Sequence, residues 1–308
     1  MLLRRMFFIL GLLTACCSPA LAQVKLEHKL AESKTTRSEV TSRTTQKLTI
    51  AGMEIDTESD ARTTVKVTTG KRDDGGHLKA QTKVEGLQLT VKVQGTDYVF
   101  DSSNPDNAGG SALEILRPLH KAILQRVTTS THDKDNKIVQ IEFDQDPLNG
   151  LSDDSRKLFK SQFDVENIKA TANQELDRIS SEPVKTGDSW ERTSKLNLEG
   201  GQTMTMTTRY TYLGETEKNG RKLDKIETKV LSVDYGLAAD SSLPLMLKSS
   251  DLKTSDSKGE LLFDREAGEI VYSSSTLHIT GDILFAANNV DLPAKLDLKI
   301  ESSSQPKE

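Results

Sequence analysis

The sequence predicts a β-rich α+β fold, in which one or two curled antiparallel sheets of threonine-rich hairpins carry a central helical insert packed on the sheet. Three observations predict it. Apolar residues alternate with Thr, Ser or charged residues over most of the chain, which is the period of a strand with one buried and one wet face. Residues that tolerate positive φ punctuate those runs. Only between about residues 111 and 182 does the apolar spacing become helical.

The chain opens on MLLRRMFFILGLLTACCSPALA. Arg4 and Arg5, the apolar run from Met6 to Ala15, and Ala20-Leu21-Ala22 with Pro19 just upstream have the form of an export signal. This predicts a signal peptide over 1–22, cleaved between Ala22 and Gln23, and a secreted, periplasmic or extracellular protein. Leu13-Thr14-Ala15-Cys16 also has the form of a lipobox, the alternative in which Cys16 is acylated and tethers the mature chain to a membrane. The 2 cysteines, Cys16 and Cys17, both lie in this segment. Cleavage after Ala22 therefore leaves no disulfide, no thiolate nucleophile and no Cys metal ligand.

The first β region spans about 24–100. Leu48-Thr49-Ile50 turns through Ala51-Gly52 to Met53 and Ile55; Val65, Val67, the run Leu87 to Val93, and Tyr98 with Phe100 follow. Turns are expected at Asp73-Asp74-Gly75-Gly76, Glu85-Gly86 and Gln94-Gly95. In the insert, Ser111-Ala112-Leu113-Glu114 reads as a capping box ahead of Leu113, Leu116, Leu119 and Ile123, with Pro118 kinking or ending the first turns. A strand pair over Val127 to Phe143 turns at Asp133-Lys134-Asp135-Asn136. Helix returns from Ser152 to about Ser180, with Leu158, Phe159, Phe163, Ile168, Ala172, Leu176 and Ile179 as its stripe, and Asp164 caps a separate helix inside it. The second β region, about 190–301, repeats the hairpin pattern. Ser302 to Glu308 reads as a disordered tail, and 23–301 as one domain.

Glu182-Pro183-Val184-Lys185-Thr186-Gly187-Asp188-Ser189-Trp190 reads as a helix stop, a turn and the start of a strand. Together with the strand pair of 127–143 and the Phe263-Asp264…Gly268-Glu269-Ile270 hairpin, this P-V-K-x-G-D-S-W motif resembles a family of uncharacterised exported proteins of planctomycete-type bacteria. The resemblance implies an exported β-rich fold and brings no activity.

The chemistry is mostly exclusion. The five histidines, His28, His77, His120, His132 and His278, form neither H-E-x-x-H nor a pair at helical spacing, against a zinc hydrolase. No G-x-S-x-G elbow, Walker loop or dinucleotide fingerprint occurs. Asp144-Gln145-Asp146 with Asn149-Gly150 approaches a calcium loop, but the glycine falls one place late and Ser155 stands where the bidentate Glu belongs. At 5% aromatic with one Trp, the chain is poor in the stacking surface that sugar hydrolases use, so a carboxylate-dependent hydrolase is the least favoured class. No cofactor is expected. The formal net charge of −5 becomes about −7 once Arg4 and Arg5 are removed, which opposes nucleic-acid binding. No apolar run after the signal approaches the ~20 residues of a membrane-spanning helix. The expectation is a noncatalytic exported protein that binds an apolar or amphiphilic ligand, with Trp190, Met204 and Met206 as candidate lining or core, and Met53 and Met246 as further adaptable apolar lining. The alternative is a structural or protein-interaction component of the cell envelope.

Overall fold

A computed structural model of the chain describes residues 23–149, 151–153, 156, 159–198, 201–238, 241, 243–288 and 290–307. The segment 1–22 read as an export signal, with Cys16 and Ala22, lies outside the described residues. So does Leu158 of the expected helical stripe.

Among the described residues twelve strands form one antiparallel sheet, with no division into two. They are β1 (Thr35–Ile50), β2 (Met53–Arg72), β3 (Leu78–Val93), β4 (Thr96–Asp101), β5 (Val127–His132), β6 (Ile138–Phe143), β7 (Ser189–Asn197), β8 (Gln202–Lys218), β9 (Arg221–Leu237), β10 (Met246–Asp264), β11 (Glu269–Ala287) and β12 (Val290–Pro306). The spatial order is β6-β5-β3-β2-β1-β12-β11-β10-β9-β8-β7, with β4 also on β3. Helices α1 (Arg117–Gln125) and α2 (Val165–Leu176) come from the insert. The two β regions meet where β1 pairs with β12, from Ser38↔Pro306 to Ile50↔Ala294.

Tight turns set the hairpin registers. Ala51-Gly52, Gln94-Gly95 and Asn219-Gly220 each place two successive residues at positive φ, the geometry that matches the twist of a two-residue hairpin. Glu85-Gly86 is not the expected turn. Gly86 lies inside β3 at a bulge opposite Thr64, and Glu85 extends across the strands to Arg37 and Lys66.

Two further expectations change. Ser302 to Pro306 is no tail: it completes β12, with hydroxyl rungs Thr41–Ser303 and Ser275–Ser302 at 2.8 Å on either side. Ser111 caps a short 3-10 turn through Leu113 N, and Glu114 reaches Gly109 N and Arg117 rather than closing a capping box. Pro118 marks the end of those first turns as expected: the 3-10 turn stops at Leu116 and α1 starts afresh at Arg117, with Pro118 in its first turn, where its missing N–H costs nothing. Asp164 caps α2, its Oδ1 accepting from Asn167 N at 2.8 Å.

The sheet curls. β9 and β10 pair only over Thr228–Asp224 against Gly259–Phe263 and then part. A Cβ at Gly259 would lie 2.4 Å from Thr228 Oγ1 and 2.7 Å from Ser274 O, so this close approach admits only glycine. Beyond the fork, the far halves of β8 and β9 fold across β10–β12. Met204 and Val233 there pack with Leu252, Leu277, Ile279, Phe285 and Leu298 as the main core. A second core closes the other end, where Leu26, Ile179 and Val184 cover Tyr210, Tyr212, Ile226, Leu261 and Phe263.

The curl brings both free edges of the sheet to one helix. Asn173 of α2 accepts from Ile138 N (2.8 Å) and donates to Ile138 O (3.1 Å) on edge strand β6. Gln174, the next residue, accepts from Lys195 N (2.9 Å) on edge strand β7. Side-chain amides thus cover backbone groups that an open edge would offer to another chain. Asn173→Ala is expected to lower stability by about 1–2 kcal/mol and to raise the aggregation rate. Urea unfolding and light scattering check both.

Candidate functional site

Below the fork, α2 and β7–β9 stand on one side of a cleft of about 450 Å³, and β10–β12 on the other. Strand alternation builds its floor: Met204, Met206 and Tyr210 of β8, Leu196 of β7, Val230 of β9, Leu277 of β11 and Ile300 of β12 line it. Several of these also belong to, or pack on, the main core, so the cleft is an unfilled extension of the space between the two halves of the curl. Its walls toward the fork carry hydroxyls from Thr228, Ser257, Ser273, Ser275 and Ser302. Ser257 Oγ is already engaged, accepting from Val230 N at 2.8 Å where the β9–β10 ladder stops.

The α2 end of the cleft is charged. Arg178 binds Glu175 at 2.5 Å, and Arg192 donates from Nε to Asp177 O (2.9 Å) and from Nη1 to Glu191 O (3.0 Å). Asp177 closes α2, so Arg192 caps a helix C-terminus with a cation. Burial pushes the Tyr210 hydroxyl above its ordinary pKa, keeping it protonated beside these arginines. The arrangement can hold an apolar tail against the methionines and a polar head at the α2 end.

Met204 and Met206 are therefore both in the cleft lining. Trp190 lies outside it. Its ring stacks on Tyr210 (5.7 Å between centroids, 11° between planes) and its Nε1 donates to Arg178 O at 3.1 Å, so it fixes the segment after α2 to the sheet. Met53 and Met246 lie outside this cleft, 65% and 60% exposed. Sequence periodicity could not reveal Arg178 and Arg192, because their meeting depends on how α2 docks against β7.

The other titratable groups serve the scaffold. Asp224 is 2% exposed; its Oδ1 accepts from Tyr212 OH (2.7 Å) and its Oδ2 from Arg265 Nε (3.0 Å). Asp144 and Asp146, the start of the imperfect calcium loop, accept from Val127 N and Leu148 N at 2.9 Å. His132 receives Ser130 Oγ at Nε2 (2.9 Å) and donates from Nδ1 to Asn136 O (3.0 Å), a pairing that locks the β5–β6 turn. His278 bridges to Asp297 across β11 and β12 at 2.9 Å.

His120 Nδ1 meets Tyr98 OH at 2.7 Å beneath α1. Burial, helped by the nearby Arg117 charge, lowers its pKa to about 4. Between pH 6.5 and 4 the unfolded chain binds a proton there that the folded chain does not, so this group makes stability fall as pH falls through that window. His120→Gln, which keeps a partner for Tyr98, is expected to flatten that fall by about one proton. Urea midpoints measured from pH 7 to 4 check it.

Residues 75–223 match the profile of a family described as "Family of unknown function (DUF6263)". No curated protein matches the chain. Among solved structures, one titled for lipid-protein interactions in lipovitellin aligns with 91% of this chain and 26% of its own, at 8% identity and a TM-score of 0.45. The chain thus spans about a quarter of that protein's length. Pseudomonas aeruginosa OccK5 (OpdH) aligns at 9% identity and a TM-score of 0.20, over 90% of this chain and all of its own. A DUF1329 family protein from Desulfovibrio piger aligns at 8% identity and 0.12, over 85% and 84%. Resemblances this distant carry no functional weight.

Proposed function

We propose that this chain is an exported, noncatalytic binding protein that takes an amphiphilic ligand into the cleft between α2, β7–β9 and β10–β12. One observation carries the reading: a cleft of about 450 Å³ with an apolar floor continuous with the main core, hydroxyls on its walls and charge at one end. That volume falls in the range of small-molecule sites, roughly 300–1,000 Å³. Two unbranched methionines in the floor suit chains of varied shape, and each methylene they cover contributes about 0.8 kcal/mol. The polar end supports binding rather than turnover, since Glu175 is bound to Arg178 and Arg192 is tied to backbone carbonyls. Export rests on the N-terminal segment, with release after Ala22 or a lipid on Cys16 as its two forms.

Native mass spectrometry of the protein purified without detergent from its own envelope tests this. The expected result is a stoichiometric lipid-like adduct that leaves on organic extraction, with a mature terminus at Gln23 or an acylated Cys16. A ligand-free mass, together with no uptake of a fluorescent fatty acid by the purified chain, would overturn the binding reading.

A further inference from the structure

The floor of the cleft says that the ligand is apolar; its α2 end says what head the ligand carries. The α2 end of the lining carries two arginines, Arg178 and Arg192, and two carboxylates, Glu175 and Asp177. One carboxylate is already neutralised, because Glu175 is bound to Arg178.

Arg192 differs from Arg178. Nε and Nη1 are fixed by the carbonyls of Asp177 and Glu191, whereas Nη2 has no acceptor among the described residues. A guanidinium held on two of its nitrogens is a planar donor fork set in place before any ligand arrives, and its unspent face suits an oxyanion. Backbone carbonyls and not carboxylates hold it, so no ion pair among the described residues neutralises it. Tyr210, in the same lining, offers a hydroxyl that burial keeps protonated.

We infer that the cleft selects amphiphiles with an anionic head, a carboxylate or a phosphate, and that Arg192 is the residue that receives it. This rests on the binding reading above, and it adds the headgroup class and the anchor. Loss of a charge-assisted hydrogen bond of this kind weakens binding by roughly tenfold or more.

The test is displacement of a fluorescent fatty acid from the full purified chain by three competitors of equal chain length: a fatty acid, a monoalkyl phosphate and the neutral fatty alcohol. Each is run on the natural protein, on Arg192→Gln, on Arg192→Lys and on Met206→Trp, with circular dichroism to confirm folding. The inference expects at least one anionic competitor to bind about tenfold more tightly than the alcohol. Arg192→Gln should abolish that preference without weakening the alcohol, and Arg192→Lys should restore part of it. Whichever anion wins identifies the head as carboxylate or phosphate. Equal binding of alcohol and acids by the natural protein, both blocked by Met206→Trp, would overturn the headgroup inference and leave the cleft reading standing. A preference for acids that survives Arg192→Gln would overturn the assignment to Arg192. Binding that Met206→Trp does not affect would overturn the cleft reading itself. Should Arg192→Gln fail to fold, the ratio of acid to alcohol on the natural protein still decides the headgroup.

Discussion

Truncating Phe263 to alanine is expected to cost about 3–5 kcal/mol of folding free energy. Phe263 is fully buried, packs edge-on against His28 with ring centroids 5.7 Å apart, and stands at the centre of the core that joins the N-terminal segment to β8, β9 and β10. It also lies at the end of the short β9–β10 ladder, the single stretch over which those strands are paired. A cavity there removes packing from the centre of that core. Urea unfolding should show a lower midpoint at unchanged slope. A loss below about 1 kcal/mol would mean that this end of the sheet is not packed as described.

Asp224→Ala follows, at about 3 kcal/mol. Removing one member of a buried ion pair is costly because its partners lose their counter-charge and acceptor. Here Tyr212 is 3% exposed and its hydroxyl would lose its acceptor. The Arg265 side chain is 40% exposed and turns to water, which holds the cost to the lower end of the range for buried pairs. Asp224→Asn, which keeps an acceptor for Tyr212, should cost less than Asp224→Ala. Equal costs for the two variants, both of which remove the charge, would show that charge and not hydrogen bonding governs this site. Asp224 and Phe263 sit opposite each other in register, so the double variant should fall short of the sum of the two losses.

Much of this fold was legible in the sequence because its signals are local. Alternation marked the strands, and pairs such as Asn219-Gly220 marked their turns. What local signals cannot carry is partner choice. Nothing in residues 38–50 says that they pair with 294–306, yet that ladder unites the two β regions. The same limit explains the misread tail. Ser302-Ser303-Ser304 has no apolar face, and it becomes strand because β1 and β11 supply matching hydroxyl rungs on both sides. Gly86 misled in the opposite way: in sequence a glycine after a charged residue resembles a turn, while in the sheet it marks a bulge. In the cleft, Met204 and Met206 were legible as the inward positions of one strand. Arg192 was not, because its value depends on the end of α2 docking against β7, a contact that the edge-covering amides Asn173 and Gln174 help to fix.

The central claim is that an amphiphile enters the cleft and touches its methionine floor. Methionine-methyl nuclear magnetic resonance, recorded while a fatty acid is titrated into the full chain, tests it most directly. Met204 and Met206 line the cleft while Met53 and Met246 are exposed elsewhere, so one spectrum holds both the probes and their controls. The account predicts saturable shifts of Met204 and Met206 with Met53 and Met246 unmoved. Shifts confined to Met53 or Met246, or four unmoved methyls at saturating ligand, would contradict it.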